Sequence, residues 1–343
     1  MLKCYLYVPV CLFLLFFLFS ASFAQDFAVF EGVEGLPGSG KHIVLVAGDE
    51  EYRSEEMLAQ MARILAKHHG FKCTVLNAIN SENGEIDPVV VDNIPGLETL
   101  ESADLMVMFL RFRNLPDEQM GHIVRYLEAG KPILGIRTST HAFNIPGDRI
   151  YARYSFNFTG NGWDGGFGRK VLGETWINHH GQHKIEATRG VVAPGEEKHP
   201  IVEGCNDIFG PSDVYQVRLP LPEGSRPIVL GAVLEGMKPT DRPVDGEKNN
   251  PMMPILWTKT YQIDDGKPGQ AVASTIGSGL DFESEGVRRL LVNSCYWLLG
   301  LEAKISAKSS VGLVDDYQPL GFGFGQFRKG FKPADIMSHK TPY

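Results

Sequence analysis

Ile43-Val44-Leu45-Val46-Ala47-Gly48-Asp49-Glu50 decides the architecture. The apolar run from Ile43 to Ala47 has no polar break, as expected of a strand covered on both faces in a parallel sheet, and Gly48-Asp49-Glu50 ends it. Ser54 is expected to cap the following helix, with Glu55 and Glu56 in its first turn and Met57, Met61 and Leu65 at helical spacing before Gly70. Cys73 to Ile79 and Leu105 to Leu110 read as the next strands. Pro116-Asp117-Glu118 opens a helix that places Met120, Ile123, Val124 and Leu127 on one face, and Pro132 to Ile136 makes a fourth strand. The alternation predicts an α/β fold: a doubly wound, mostly parallel sheet with helices on both faces. Ligands of such sheets gather at the carboxyl ends of the strands, so Asp49, Glu50, Arg111, Arg113, Arg137 and Thr138 are predicted to share one rim.

Working outward, 43% hydrophobic and 22% charged residues give an ordinary globular composition, which excludes a disordered or fibrous chain. A net charge of −8 without Lys/Arg clusters argues against nucleic acid or an anionic membrane as a partner. At the amino end, Lys3, the apolar run Cys4 to Phe19 and Ser22-Phe23-Ala24 form a secretory signal pattern. Cleavage after Ala24 and export to the periplasm or the exterior are expected, with an uncleaved anchor as the alternative. Cys73, Cys205 and Cys295 are too few and scattered for a disulfide framework. The expected division is a signal over 1–24, a linker over 25–40, one α/β domain over 41–302 and a tail over 303–343, whose Gly321-Phe322-Gly323-Phe324-Gly325 either docks or stays loose. Oligomeric state is not legible.

Two motifs exclude chemistry. Gly35 to Lys41 fits the start of a phosphate-binding loop, but His42 replaces the Ser or Thr that holds magnesium, and the loop precedes a strand instead of a helix. Gly135-Ile136-Arg137-Thr138-Ser139 occupies the place of a nucleophile elbow, yet Arg137 stays protonated and cannot attack. Arg137 either binds an oxygen of the substrate or pairs with Asp49, Glu50 or Glu51.

His141, His179, His180 and His183 are four of the ten histidines, and His179-His180-Gly181-Gln182-His183 is the densest cluster in the chain. That run is open to three readings: a divalent metal site, a metal-free catalytic or substrate-binding group, and a structural or solvated cluster. On a helix His180 and His183 share a face; on a strand they oppose. Trp163, among glycines with Asn161 and Asp164, suits the C–H face of a sugar or pins the loop by burial.

Gly48-Asp49-Glu50, Gly135-Ile136-Arg137, Val171-Leu172-Gly173 before His179-His180, His199-Pro200-Ile201 with Gly204, Asp213-Val214-Tyr215 and Gly269-Gln270-Ala271-Val272 with Asn293 to Gly300 follow one another in an order that resembles the ThuA-like, trehalose-utilisation family. The resemblance covers about residues 41–302 and implies a flavodoxin-like, class I glutamine amidotransferase-like fold and a sugar or keto-sugar derivative as substrate. Departures stand beside the matches. Relatives commonly carry His where this chain has Arg137 and Gly-His where it has Gly277-Ser278, and Ser212-Asp213-Val214-Tyr215 replaces an Asp-Glu-x-Tyr element. The amidotransferase cysteine is absent. The expected catalytic set is His180 as base or metal ligand, helped by His179 or His183, with Asp49, Glu50 and Glu51 pairing with the arginines or donating protons; Arg111, Arg113, Arg137, Thr138, His141, Trp163, Asp213 and Tyr215 are the expected substrate contacts. The expected activity is that of a hydrolase or lyase, without a definite cofactor beyond the metal option. The alternatives are a non-catalytic carbohydrate-binding or scaffold protein and a metal-dependent hydrolase of another small substrate.

Overall fold

The computed structural model describes residues 26–338 together with Met1 and Tyr343; the signal segment expected over 1–24 otherwise lies outside the described residues. The strands are Ala28–Phe30 (β1), His42–Gly48 (β2), Lys72–Asn77 (β3), Leu105–Leu110 (β4), Ile133–Ile136 (β5), Thr188–Val192 (β6), Phe209–Gly210 (β7), Ser225–Val233 (β8), Met253–Tyr261 (β9) and Gly269–Ser274 (β10). The three long helices are Ser54–His69 (α1), Asp117–Glu128 (α2) and Glu285–Leu298 (α3). All strands join one sheet in the order β1-β3-β2-β4-β5-β10-β9-β8-β6-β7.

Within it β3-β2-β4-β5-β10 are parallel. Numbered along the chain, those five run second, first, third, fourth, fifth, the doubly wound flavodoxin-like order, whose ligands sit at the carboxyl ends. The apolar runs Ile228 to Leu234, Ile255 to Lys259 and Ala271 to Ile276 also read as strands and fall on β8, β9 and β10, but their pairing was not legible in the sequence. From β10 the sheet continues antiparallel through β9, β8, β6 and β7, and residues 25–40, expected as a linker, contribute the antiparallel edge strand β1. Ile43, Leu45 and Ala47 pack with Met57, Met61, Leu65 of α1 and Leu290, Leu291 of α3 on one face. Val44 and Val46 pack with Met120, Ile123, Leu127 of α2 on the other. Both faces of β2 are therefore dry, which is why its run is continuous instead of alternating.

The helix cap was misplaced by one residue: Arg53, in a left-handed conformation (φ 63°), occupies the cap position of α1. The Ser54 hydroxyl instead accepts the Asp49 N–H at 2.9 Å, so it closes the loop after β2. Cys73, Cys205 and Cys295 are free thiols, and Cys295 is buried in α3.

The segment after residue 302 docks. Val314 and Gln60 exchange two hydrogen bonds of 3.0 Å, the Tyr317 hydroxyl donates to Gly279 O at 2.7 Å, and Leu320 N–H donates to Glu56 Oε2 at 2.8 Å. It lies over the amino end of α1, where Glu55 is buried with neither oxygen hydrogen-bonded and Arg53 3.9 Å away. Burial raises the Glu55 carboxyl to about 8 against the pull of Arg53. Between pH 4.5 and 8 the folded chain therefore keeps a proton that the unfolded chain releases, so stability should fall as pH rises through this window, by on the order of 5 kcal/mol. Glu55→Gln should flatten that slope in urea melts; an unchanged slope rejects Glu55 as its source.

Candidate functional site

Asp49 stands just beyond β2 and is fully buried. Its carboxylate accepts the N–H groups of Glu51, at 2.8 Å, and of Tyr52, and the Thr138 hydroxyl at 2.6 Å. Asp49 and Thr138, expected to act on substrate, are thus consumed in tying the first loop to the turn after β5. Glu50 pairs with Arg111 and, at 2.7 Å, with Arg113. Arg113 is fully buried and also donates to the carbonyls of Pro88 (3.0 Å) and Val90 (2.7 Å), so it braces loops instead of meeting a ligand.

Arg137 keeps the backbone of an elbow, with φ of 46°, but its side chain turns inward and has no exposed surface. It donates to Asp213 Oδ1 at 2.9 Å, to Asp213 O at 2.8 Å and to Thr275 O at 2.6 Å. Its guanidinium lies 4.4 Å from the Tyr52 ring centre and 4.1 Å from that of Tyr215. Its acidic partner is Asp213, not Asp49, Glu50 or Glu51 as weighed from the sequence. A planar cation stacked between two rings is held by cation–π attraction as well as by its fork of donors.

Asp213 is the hub. Its Oδ2 meets His179 Nδ1 at 2.7 Å and its Oδ1 meets His183 Nδ1 at 3.1 Å. Burial pushes its carboxyl upward, but the Arg137 charge and the two imidazole hydrogen bonds outweigh it and hold it well below the usual carboxylate range. An ionised carboxylate only accepts, so each imidazole carries its proton on Nδ1 and leaves Nε2 as the basic atom. His183 Nε2 faces Glu51 Oε1 at 3.5 Å, while His179 Nε2 has no hydrogen-bond partner among the described residues. Burial, reinforced by Asp49, raises the Glu51 carboxyl above its ordinary value against the opposing Arg111.

His180 does not join this group. His179 pairs across an isolated antiparallel bridge with Tyr215, and strand alternation turns His180 to the other side, where its Nε2 lies 2.7 Å from Lys248 O. The expected ligand set of His179, His180 and His183 is therefore corrected: the ligand atoms that lie within 4.8 Å of one another belong to His179, His183 and Asp213. Those three could hold a divalent ion through two nitrogens and an oxygen.

His141 is buried behind the rim among Phe112, Trp176 and Tyr215, at 4.9, 5.4 and 6.2 Å between ring centres. Burial, with Arg111 and Arg137, drives its pKa well down, so it packs as a neutral ring. Trp163 is also buried, 4.7 Å from Tyr154 in the second core, and pins the glycine loop; it meets no rim residue among the described contacts.

Sequence reasoning passed over three residues that the structure puts at the rim. Tyr52 places its hydroxyl 3.3 Å from His183 Nδ1, Trp176 packs edge-on to His179 at 5.8 Å, and Phe322, from the tail, packs 5.5 Å from both His183 and Tyr52. Tyr52 was reachable, being three residues past Asp49 on the same loop.

No family model and no curated protein matches the chain. Among solved structures it is similar to a protein of Bacteroides uniformis provisionally described as ThuA-like, with 14% identity over 76% of this chain and 92% of the other and a TM-score of 0.46. A second, provisionally described in the same way, from Parabacteroides merdae, shows 11% identity, coverage of 76% and 90%, and a TM-score of 0.48. A cytoplasmic protein of Salmonella typhimurium shows 12% identity, coverage of 75% and 98%, and a TM-score of 0.42. The likeness is one of fold.

Proposed function

We propose that the chain is an exported ThuA-like enzyme that moves protons on a sugar or keto-sugar derivative through its histidines and carboxylates. The observation that carries this reading is that His179 and His183 share one buried carboxylate, Asp213, whose charge is balanced by the enclosed Arg137. Such an arrangement fixes the tautomer and supports the imidazolium formed on proton uptake. His179, whose side chain is 35% exposed, is the general base in this reading. Glu51, kept readier to hold a proton than an ordinary glutamate, serves as the acid beside His183, and Arg111 binds a substrate oxygen. Trp176, Phe112 and the polar rim supply the apolar faces and hydrogen-bond groups that pyranose rings need. Among the described residues Cys73 and Cys295 are buried in the core and Cys205 is half-buried. Export rests on the signal pattern of residues 1–24. No helix of the described residues is long and apolar enough to cross a membrane.

The second reading is a metal-assisted hydrolase, favoured by the His179, His183 and Asp213 ligand set. Tag-free protein starting at Gln25 should be incubated with trehalose, common disaccharides and their 3-keto derivatives, and the products identified by mass spectrometry. Conversion that survives EDTA is the expected result; conversion abolished by EDTA and restored by a divalent ion transfers the same residues to the metal reading. Binding without conversion moves the protein to the carbohydrate-binding alternative.

A further inference from the structure

The tail segment from Tyr317 to Arg328 forms a strap over the stretch Glu51-Tyr52-Arg53-Ser54-Glu55-Glu56. The start of that stretch belongs to the candidate site: Gly323 N–H donates to Glu51 O at 2.7 Å, and Phe322 packs 5.5 Å from both Tyr52 and His183. Its end seats the strap. Glu56 is fully buried, and strap groups meet both of its carboxyl oxygens: Oε2 accepts the Leu320 N–H at 2.8 Å, and Oε1 lies 3.3 Å from Arg328 Nε. Between the two ends Arg53, fully buried and in a left-handed turn, donates to Gly323 O. One movement of the strap would therefore remove a wall from the site and uncover the carboxyls at the amino end of α1.

Glu55 is the carboxyl for which this matters. It is 2% exposed, and neither of its oxygens has a hydrogen-bond partner among the described residues. The charged and titratable groups that face it are Arg53, at 3.9 Å, with Glu56 and Asp49 from its own helix and loop, and Tyr317 and Tyr343 from the tail. Burial pushes both tyrosine hydroxyls up, so they stay neutral where a carboxyl titrates. Arg53 is the single cation within reach, and it is already engaged by the carbonyls of Glu50, Glu51 and Gly323. A negative charge on Glu55 thus has no hydrogen bond and only a shared cation to offset its loss of water.

We infer that the strap is a proton-linked latch over the candidate site: it shuts while Glu55 is uncharged and opens, without unfolding of the sheet, as Glu55 ionises. Its meaning for catalysis rests on the proposed function; the movement itself does not. The direction follows from linkage. Burial holds the closed-state Glu55 carboxyl at about 8 against an ordinary 4.5, so closing takes up a proton. Burial raises Glu56 in the same sense, against the Leu320 N–H and Arg328. Closure is therefore fully favoured below pH 4.5 and weakens as pH rises toward 8, the open-to-closed ratio growing about tenfold per pH unit for the one proton of Glu55.

Native-state amide exchange on the full mature chain tests the latch, with each protection factor corrected for the intrinsic pH dependence of exchange. Between about pH 5.5 and about pH 7.5 the Leu320 and Gly323 amides should lose about tenfold in protection per pH unit, while remaining less protected than Val44 and Val46 in β2. Glu55→Gln, which fixes the uncharged form, should abolish that slope. A slope that persists in Glu55→Gln, or a wild-type slope below about twofold per unit, overturns the latch. Strap amides as well protected as those of β2 overturn it too, because the strap would then open only with the whole fold. None of these results touches the sugar reading, which fails separately if no sugar derivative is bound or converted.

Discussion

His179→Ala should lower turnover by about 10²- to 10⁴-fold, the range that a positioned general base contributes. The side chain is 35% exposed and contributes one hydrogen bond, to an Asp213 that keeps Arg137 and His183. Stability should therefore change by no more than about 0.5–1 kcal/mol in a denaturant melt. The informative control is His180→Ala, which should retain most of the activity, because that ring bonds the Lys248 carbonyl and stands outside the Asp213 group. The opposite outcome, with His180→Ala inactive and His179→Ala active, would return catalysis to the residue that sequence order favoured and deprive Asp213 of its role as the hub of the acid-base group.

Arg137→Ala should have the largest effect on the fold. It strips the only buried cation from a carboxylate with no exposed side-chain surface, and a broken buried pair costs about 3–5 kcal/mol. It also leaves the Tyr52 and Tyr215 rings without the plane between them. For a chain of this size the thermal midpoint should drop by roughly 10 °C. The acid response should change as well. In the wild type the carboxyl of Asp213 sits below its unfolded value, so its contribution is complete above about pH 4 and is lost only as pH falls through the depressed value. Without Arg137 that contribution should vanish, and the variant should gain less stability than wild type on going from pH 2 to pH 5. Arg137→Lys, which keeps charge but loses the fork and the stack, should fall between the two. A melt of Arg137→Ala indistinguishable from wild type would show that the stack and ion pair contribute nothing net.

The parts of the fold legible from sequence were those that local chemistry dictates. Val44 and Val46 bury on one side and Ile43 and Leu45 on the other, so the strand announces itself as an unbroken apolar run. β6 does not: only Thr188 is buried, Arg189, Gly190 and Val192 are half-buried and Val191 is exposed, and two residues suffice for β7. Such pairing is decided by neighbours and not by propensity. The site divides in the same way. The histidine run was visible as composition, but choosing among its members required knowing that His179 bridges Tyr215, since that pairing alone fixes which ring turns inward. Tyr52 and His183 are 131 positions apart, and Arg53 and Gly323 270, separations at which spacing in sequence carries no information about contact. Arg137 shows the remaining difficulty: elbow geometry was readable, but the inward turn of its side chain depends on the cavity that Tyr52, Tyr215 and Asp213 make for it.

The strap that closes over Glu51 and His183 also fixes an order of events in the cell. Strands β2 to β5, both loops that carry Glu51 and Arg137, and the histidine run have all left the ribosome long before Phe322 and Phe324 emerge. The tail therefore joins the fold last, since its Leu320 N–H needs α1 and Glu56 already in place to receive it. Premature termination inside that stretch would leave the Glu51 carbonyl without the Gly323 N–H and the His183 ring without Phe322 against it.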